Sequence, residues 1–250
     1  MQITSRISKK QIRNNRILET AVESYIKRAH PISSKFLCEH YDLDVSPATV
    51  RNAMAELKNE GYLRQDYFSA GRVPTQKAYR YYINYLMKKE EVDSLQRRTI
   101  KDLLPREFSE PEELFYMIAE LISNVTHSAG FHMSWRPIKL YYTGTRFILE
   151  APEFHDLKIL RGVISILEDR DKVAKLISDT PNQTTRVYVG EECRYPEIKE
   201  CALVVSSYCG KRVRGKIAVL GPARLNYPKV IGTLNFISKE LNRIIRLARW

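Results

Sequence analysis

The chain has 250 residues and is 44% hydrophobic, which suffices for the packed cores of one large domain or two small ones. Its formal net charge of +12 favours a polyanionic partner, although a basic protein can also be simply soluble or weakly associated with membranes. The sequence contains no run of the roughly 18 apolar residues that span a bilayer and no apolar signal core after Met1, so we expect a cytoplasmic protein without membrane association.

Positive charge is denser in the first part of the chain. Residues 1–90 contain 16 lysines and arginines against 9 acidic residues, whereas residues 91–250 contain 25 against 20. We therefore predict two domains: a DNA-binding domain with a linker helix in residues 1–90, and a regulatory and dimerisation domain in residues 91–250.

Three helices are predicted before residue 62. The first covers Lys9 to Arg28, and the second begins at Ser33-Ser34 and ends near Tyr41. A turn at residues 42–44 leads into the third helix, which gives helix-turn-helix spacing. The apolar stripe that packs the first helix onto the other two is Ile17, Leu18, Ala21, Val22, Tyr25 and Ile26.

The third helix has the clearest start and stop signals. Ser46 can cap it by accepting a backbone N–H, Pro47 suits its first position, and Gly61 supplies the left-handed residue that ends it. These signals predict a helix of about 14 residues. Three of its side chains share one face and are expected to pack inward: Val50, Met54 and Leu57.

The other side chains of this helix can read DNA. Arginine can make a bidentate contact to guanine and asparagine can make one to adenine, while threonine offers a methyl group to thymine and a hydroxyl. We therefore predict DNA contacts from Ser46, Thr49, Arg51 and Asn52.

Two short strands, Tyr62–Gln65 and Arg72–Pro74, are predicted to form a β-wing after the helix. Their tip holds Ser69, Ala70 and Gly71, small residues that let the backbone approach a duplex. We predict that Ser69 and Arg72 contact DNA. The alternative is an ordinary surface turn whose arginine is solvated.

After the wing, Thr75 can cap a helix that runs to Leu86 and leads into charged residues 88–91. Tyrosines at four positions of this helix suggest stacking on single-stranded nucleic acid, but packing is the commoner role at this spacing. These tyrosines are Tyr79, Tyr81, Tyr82 and Tyr85.

The second half of the chain mixes helices and strands, which indicates an α+β domain. Helices are predicted over Glu112–Val125, Leu157–Leu167 and Lys172–Ile177. Strands are predicted over Ile138–Tyr142, Phe147–Leu149, Arg186–Val189, Ala202–Tyr208 and Arg214–Leu220, with Gly210 as a hairpin signal before the last.

The last helix runs from Pro228 towards Arg249 and carries an approximate a/d seam. The seam suits pairing with another helix, and docking on the chain's own sheet is equally compatible with so few heptads. Its residues are Leu234, Ile237, Leu241, Ile244 and Ala248. We expect a homodimer because one recognition helix covers too few base pairs for a genomic address.

Neither a metal site, nor a cofactor, nor a catalytic centre is predicted. The sequence lacks the usual phosphate-loop, dinucleotide, zinc-protease and nucleophile-elbow motifs. Glu150, Glu153 and His155-Asp156 are interpreted as solvated or structural groups. Four cysteines without zinc-ligand spacing are expected to be reduced and mostly buried: Cys38, Cys193, Cys201 and Cys209.

Two blocks of sequence carry a family resemblance. The first runs from His30–Ser34 through Ser46–Asn52 to Ser69–Thr75 and Tyr79–Tyr82, and the second comprises Pro152–Asp156, Val189–Glu192 and Leu220–Pro228. Both blocks resemble the HrcA family of bacterial heat-inducible transcription repressors.

The resemblance implies a fold and a function. The implied fold is α+β, with an N-terminal winged helix-turn-helix domain and a GAF-like α/β sensor domain. The implied function is repression of heat-shock chaperone operons through double-stranded DNA at an inverted-repeat operator. The resemblance also implies that the chaperonin GroEL maintains the active repressor until heat-damaged proteins occupy the chaperonin.

Some positions depart from the family pattern. Ala53 stands where the family usually has Asp, Tyr67-Phe68 where it usually has His-Thr, and Ala78 where it has Gly. The chain is also shorter between Thr126 and Gly144, so we expect a reduced GAF-like domain that lacks the family's inserted dimerisation subdomain.

Two other functions are compatible with the residues alone. One is a ligand-responsive winged-helix regulator of unrelated genes, whose second domain binds a small molecule. The other is an enzyme that carries a basic nucleic-acid-binding module. An inverted repeat upstream of chaperone genes would favour the repressor, whereas a catalytic cluster in the structure would favour the enzyme.

Overall fold

The computed structural model describes residues 8–65, 71–89, 91–104, 111–135, 138–181, 185–209 and 214–247. The chain divides into two compact units, unit 1 with residues 1–88 and unit 2 with residues 89–250. The sequence prediction placed the boundary after residue 90, two positions later.

Unit 1 begins with three helices, each started by a serine cap. Their bounds are Lys9–Arg28 for α1, Ser34–His40 for α2 and Pro47–Asn59 for α3. In each case the hydroxyl of the preceding serine accepts a backbone N–H three residues ahead and so satisfies a donor that the helix leaves unpaired. The bounds of α1 and the cap of α3 agree with the sequence prediction.

The core of unit 1 contains the inward face of α3. Val50 and Met54 are fully buried and Leu57 is 3% exposed, as the helical spacing predicts. Ala53 is also fully buried among them. The departure from the family pattern at this position therefore alters the core of the unit and leaves its outer surface unchanged.

The wing of unit 1 consists of β1 (Leu63–Arg64) and β2 (Val73–Pro74), which pair antiparallel. A third segment joins them, since Ile32 and Arg72 exchange two backbone hydrogen bonds of 2.9 and 2.8 Å. This pairing ties the base of the wing to the chain just before α2. The predicted wing tip, with Ser69, lies outside the described residues.

Gly71 is required by packing inside the unit. A Cβ at this position would lie 2.7 Å from the carbonyl carbon of Pro31 and 2.8 Å from the nitrogen of Ile32. The close contact with residues 31–32 therefore requires a glycine here, and the approach of the wing tip to DNA stays a prediction.

The segment after the wing folds back onto unit 1. It forms α4 (Gln76–Tyr81), capped by Thr75 as predicted, and continues as a π-helical turn at Tyr82–Leu86. Tyr79 and Tyr82 are 3% and 2% exposed, which confirms the packing interpretation for these two rings.

Unit 2 is built on a five-stranded antiparallel sheet with the order β4-β3-β7-β6-β5. Its strands are β3 (Ala129–Trp135), β4 (Ile138–Thr143), β5 (Arg186–Val189), β6 (Cys201–Cys209) and β7 (Arg214–Pro222). Helices cover both faces, which gives the predicted mixed α+β class and a GAF-like arrangement. The helices are α5 (Ser94–Leu103), α6 (Pro111–Thr126), α7 (Thr145–Glu150), α8 (Leu157–Glu168), α9 (Arg170–Ser178) and α10 (Tyr227–Leu247).

The two faces of the sheet follow the alternation of side chains along its strands. Phe131 and Met133 of β3 point into a core formed with α7, α8 and α9. His132, between them, points to the other face, where its ring stacks on Phe115 of α6 at 4.2 Å. The helix α10 covers the same face next to β6.

Two secondary-structure predictions for unit 2 are wrong or incomplete. Residues 147–149 were predicted as a strand but lie in α7, where Ile148 is buried and Leu149 is 53% exposed. A three-residue apolar run does not distinguish a strand from a short helix. Strand β3 and helix α5 were not predicted. Residues 129 to 134 of β3 are buried on both faces, although Phe131, Met133 and Trp135 alternate with the polar His132 and Ser134.

The apolar seam of α10 docks on the chain's own sheet. Leu234, Ile237 and Leu241 are all fully buried, and α10 packs against β6 and β7. Of the two alternatives left open by the sequence, docking within the chain is the one observed for these three residues. Ala248 lies outside the described residues.

All four cysteines are free, but only two of them are buried. Cys193 and Cys201 are buried in unit 2, Cys38 is partly exposed and Cys209 is exposed. Burial raises the pKa of the Cys201 thiol well above its usual value. The prediction of mostly buried thiols therefore holds for this pair alone.

Candidate nucleic-acid interface

The outward face of α3 is polar and basic. Arg51 and Asn52 are exposed, as are Lys58 and Asn59 seven residues later, so all four lie on one side of the helix. None of the exposed side chains on this face is acidic. The sequence prediction missed Lys58 and Asn59, although their spacing from Arg51 and Asn52 places them on the same face.

The acidic residue in the middle of α3 is turned towards α1. Glu56 forms an ion pair of 2.9 Å with Lys10 and accepts a hydrogen bond of 3.0 Å from Asn14. The hydrogen bond from Lys10 is the main reason that the pKa of the Glu56 carboxyl lies below its usual value. The negative charge of Glu56 is thus compensated inside unit 1, away from the outward face.

The turn between α2 and α3 is held from α1. Asp44 adopts a left-handed backbone conformation with φ of 52°, which is uncommon for a residue other than glycine. Its carboxylate accepts a 2.7 Å hydrogen bond from Arg16, and this bond lowers the pKa of Asp44. Arg16 therefore stabilises the turn that orients α3.

Ser46 and Thr49 are engaged with each other at the start of α3. The Ser46 hydroxyl accepts from the backbone nitrogen of Thr49 at 3.2 Å, and the two hydroxyl oxygens are 2.9 Å apart. Ser46 is exposed, whereas Thr49 is only partly exposed and lies on the flank of the helix. Capping accounts for both residues, and their predicted DNA contacts stay predictions.

Arg72 lies at the base of the wing. Its backbone is fixed by the bridge to Ile32, and its guanidinium is partly buried. Burial lowers the pKa of Arg72, and the charge of the nearby Arg51 lowers that pKa further. The positive charge of Arg51 on α3 thus disfavours a second cation at Arg72.

The side chain of Arg72 has an unsatisfied donor. Its Nε is buried without a hydrogen-bond partner, and within the described ranges no carboxylate forms an ion pair with Arg72. The Nε atom is closed to an acceptor from solvent, but Arg72 as a whole is only partly buried, so its other guanidinium donors suit a phosphate oxygen or a base edge. Arg51 and Arg72 are therefore suited to a polyanion.

The acidic residues of unit 2 that resembled acid–base groups have structural roles. Glu153 pairs with Arg224 and so joins the Pro152–Asp156 segment to the Leu220–Pro228 segment. The carboxylate of Asp156 accepts from the backbone nitrogen of Lys158 at 2.7 Å and caps α8. Both groups are thus used in holding the fold together.

Other kinds of site find little support in the described part of the chain. None of its helices combines the length and the apolar character needed to cross a bilayer. Among the same residues, no cluster of three or more His, Cys, Asp or Glu side chains could hold a metal ion.

Comparison with known proteins identifies the family. The family model described as "HrcA protein C terminal domain" matches residues 50–231. A heat-inducible transcription repressor HrcA from Symbiobacterium thermophilum is 27% identical, with 94% of this chain and 98% of that protein covered. The protein of the same name from Oceanobacillus iheyensis is also 27% identical, over 94% of this chain and 96% of its own length.

The relatives are longer than this chain. The alignment with the Symbiobacterium protein extends over 336 positions, against 250 residues here, so at least 86 aligned positions have no counterpart in this chain.

Among solved structures, a crystal structure described as a hypothetical protein at 2.2 Å resolution has a TM-score of 0.74 and 16% identity. It covers 94% of this chain and 97% of its own, and it shows a shared fold. The family match covers most of the chain and includes α3 from residue 50 onward, both strands of the wing and the whole sheet of unit 2. This chain belongs to the HrcA family, whose matched members are named heat-inducible transcription repressors.

Proposed function

We propose that this protein represses heat-shock chaperone operons in the cytoplasm by binding double-stranded DNA at an inverted-repeat operator. Unit 1 is the DNA-binding module, with α3 in the major groove and the wing beside it. The observation that carries the proposal is the polar and basic outward face of α3, with Arg51, Asn52, Lys58 and Asn59 exposed and no acidic side chain among them. A polyanion is the partner that such a surface favours.

The residues of this surface have distinct roles in the proposal. Arg51 and Asn52 project from α3 and are assigned to base edges, because their side chains can each make bidentate contacts. Arg72 is assigned to phosphate or to the minor groove. Ser46, Thr49 and Ser69 are assigned to the DNA backbone near the start of α3 and the wing tip.

The repressor is proposed to act as a homodimer. One α3 helix contacts too few base pairs to specify a unique site in a genome, and a two-fold dimer matches the symmetry of an inverted repeat. Light scattering of the purified protein should therefore give twice the chain mass of 29.2 kDa at micromolar concentration. A constant mass of one chain, with independent binding to each half-site, would contradict the dimer.

The chaperonin GroEL is proposed as the partner that keeps the repressor active. This part rests on the family name and on the matched relatives, which are called heat-inducible. Adding purified chaperonin to the repressor should raise the fraction that binds operator, and adding an unfolded competitor protein should reverse the gain.

The decisive experiment is footprinting across the chaperone promoters of the same genome, with and without chaperonin. The proposal expects protection of an inverted repeat and no protection of a duplex in which the repeat is scrambled. Protection confined to promoters of unrelated genes would favour the ligand-responsive regulator instead. Equal binding to every duplex would mean that the basic surface binds DNA without sequence specificity.

A further inference from the structure

Unit 2 contains a cleft of about 530 Å³ that the proposed DNA-binding function does not use. It lies where the last residues of β6 and the first residues of β7 meet the second half of α10. Its volume falls within the range of small-molecule sites, which is about 300–1,000 Å³. The cleft opens at this end of the sheet: Trp135, which shares a face of β3 with Met133, lines it from the α9 side, and Lys239 and Asn242 line it from α10.

The described lining of the cleft carries positive charge without acidic residues. Its cations are Arg214, Lys216 and Lys239, and none of its described residues is Asp or Glu. Lys216 is already occupied, because its ammonium donates to backbone carbonyls at the end of α9. Arg214 and Lys239 are exposed, and neither forms an ion pair in the described part of the chain.

The amide groups of α10 also present donors to the cleft. The backbone nitrogen of Cys209 donates to the Oδ1 atom of Asn242 at 2.8 Å. Because a backbone N–H can only donate, this bond fixes the orientation of the amide and leaves its NH2 group available. Asn235, seven residues earlier in α10, also accepts a hydrogen bond through its Oδ1 atom, from Thr185 at 2.5 Å.

The inner wall of the cleft is aromatic. Trp135, at the end of β3, is 39% exposed, and Tyr208 is buried with its hydroxyl 2.6 Å from the Nε2 atom of His132. Gly215 makes room for this tyrosine, since a Cβ there would lie 2.3 Å from the Tyr208 hydroxyl. Trp135 therefore supplies the exposed apolar surface of the wall, and the ammonium of Lys216 lies 5.5 Å from the centroid of its ring.

We propose that this cleft binds a small organic anion that combines a flat apolar body with a carboxylate or phosphate group. The apolar body lies against Trp135, and the anionic group accepts from Arg214, Lys239 and the amide of Asn242. The ligand is an anion because the described lining supplies donors and cations and no opposing carboxylate. The proposal concerns unit 2 alone and does not depend on the operator.

The chain provides its own optical reporter for the test. It has two tryptophans, Trp135 in the cleft and Trp250 at the end of the chain. In a Trp250→Phe background, fluorescence reports on Trp135 only. Titration with benzyl phosphate should give a saturable change in this fluorescence, whereas benzyl alcohol, its neutral counterpart, should give none over the same range.

Two variants test the proposed contacts. Arg214→Gln and Lys239→Gln should each weaken the binding of benzyl phosphate about tenfold, as expected for the loss of one charge-assisted contact. Lys229→Gln is the matched control, since it removes the same charge from the same helix ten residues before Lys239 and does not line the cleft. The affinity of the Lys229→Gln control for benzyl phosphate should be unchanged.

Calorimetry of the same titrations provides a readout that is independent of the tryptophan. Binding of benzyl phosphate with the expected loss in both cleft variants supports the site. If inorganic phosphate bound as tightly as benzyl phosphate, the affinity would come from the anionic group alone. The proposed role of Trp135 would then be wrong. The proposal is also overturned by the absence of saturable heat, or by equal weakening in the Lys229→Gln control.

Discussion

The polar groups of the α3–wing surface differ from those of the unit 2 sheet in their exposure and in their hydrogen bonding. On unit 1, Arg51 and Asn52 are exposed and Arg72 keeps an unpaired Nε. In unit 2, Lys216 is 2% exposed and donates to backbone carbonyls, and His132 is fully buried, with its Nε2 atom bonded to Tyr208 and its Nδ1 atom without a partner. Since burying a polar group without a partner is costly, the polar groups inside unit 2 are used mainly within the protein, whereas the exposed Arg51 and Asn52 are available to a ligand.

The largest effect is expected at Lys216, whose ammonium holds the end of α9. It donates to the carbonyls of Ile177 and Ser178 in the last turn of α9 and to the carbonyl of Thr180 just after it. Lys216→Met keeps the apolar stem and removes the donor, so the free energy of unfolding of unit 2 should fall by about 3 kcal/mol. Urea denaturation followed by circular dichroism measures this loss.

The control for that variant is Lys175→Met, an exposed lysine on α9 itself. It should change the free energy of unfolding by no more than about 0.5 kcal/mol. Operator affinity of the folded protein should be unchanged in both variants. If the Lys216→Met protein kept its stability but bound the operator more weakly, Lys216 would act in DNA binding and not in stabilising unit 2.

The second effect is a loss of stability at mildly acidic pH caused by His132. Burial lowers the pKa of His132 from 6.5 to about 3 in the folded protein. Below about pH 6.5 the His132 imidazole therefore binds a proton in the unfolded chain but not in the folded one. The free energy of unfolding falls as the pH falls through this range. Between pH 7.5 and 5 the free energy of unfolding should decrease by about 2 kcal/mol.

His132→Phe serves as the comparison, because phenylalanine can still stack on Phe115 but does not titrate. The variant is expected to lose the hydrogen bond to Tyr208, so the informative quantity is its slope against pH and not its absolute stability. The slope between pH 7.5 and 5 should flatten. An equally steep slope would mean that another group is responsible.

The third effect concerns Arg51 and DNA specificity. Arg51→Ala should reduce the preference for operator over random duplex by about 1–2 kcal/mol, because a bidentate base contact contributes about 1–3 kcal/mol of discrimination. Fluorescence anisotropy with both duplexes measures it. Equal loss of affinity for the two duplexes would assign Arg51 to phosphate.

The smallest effect is expected at Arg72. Arg72→Ala should weaken binding to all duplexes similarly and reduce the slope of log affinity against log salt by about 0.9, the value for one phosphate contact. If Arg72 enters a narrow minor groove instead, the loss should be greater on A·T-rich flanks than on G·C-rich ones. An unchanged slope and unchanged affinity on both flanks would make the wing an ordinary surface turn.

The local elements of unit 1 could be predicted because their signals are close together in the sequence. Ser46, Pro47 and Gly61 mark the two ends of α3, and the bounds of α1 were predicted without error. The 3.6-residue spacing correctly placed Val50 and Met54 inside. By contrast, the bridge between Ile32 and Arg72 joins residues far apart in the chain, and no local pattern predicts it.

Strand β3 and Lys216 were missed in unit 2 for different reasons. Strand β3 alternates apolar Phe131, Met133 and Trp135 with polar His132 and Ser134, so a local signal is present in the sequence even though both faces are covered. Lys216 resembles an ordinary surface lysine in the sequence, because its carbonyl partners lie 36 to 39 residues away. The electrostatic interaction of Arg51 with Arg72 has the same non-local origin.

The most direct test of the account is a double-mutant cycle of Arg51→Ala and Arg72→Ala on the operator duplex. If the two arginines form one DNA-binding surface, their effects on binding free energy should be non-additive by at least about 0.5 kcal/mol. A parallel cycle of Arg51→Ala with Arg98→Ala, an exposed residue of unit 2 that pairs with Asp102, should be additive. Additivity in both cycles, with the operator preference intact in every variant, would contradict the account.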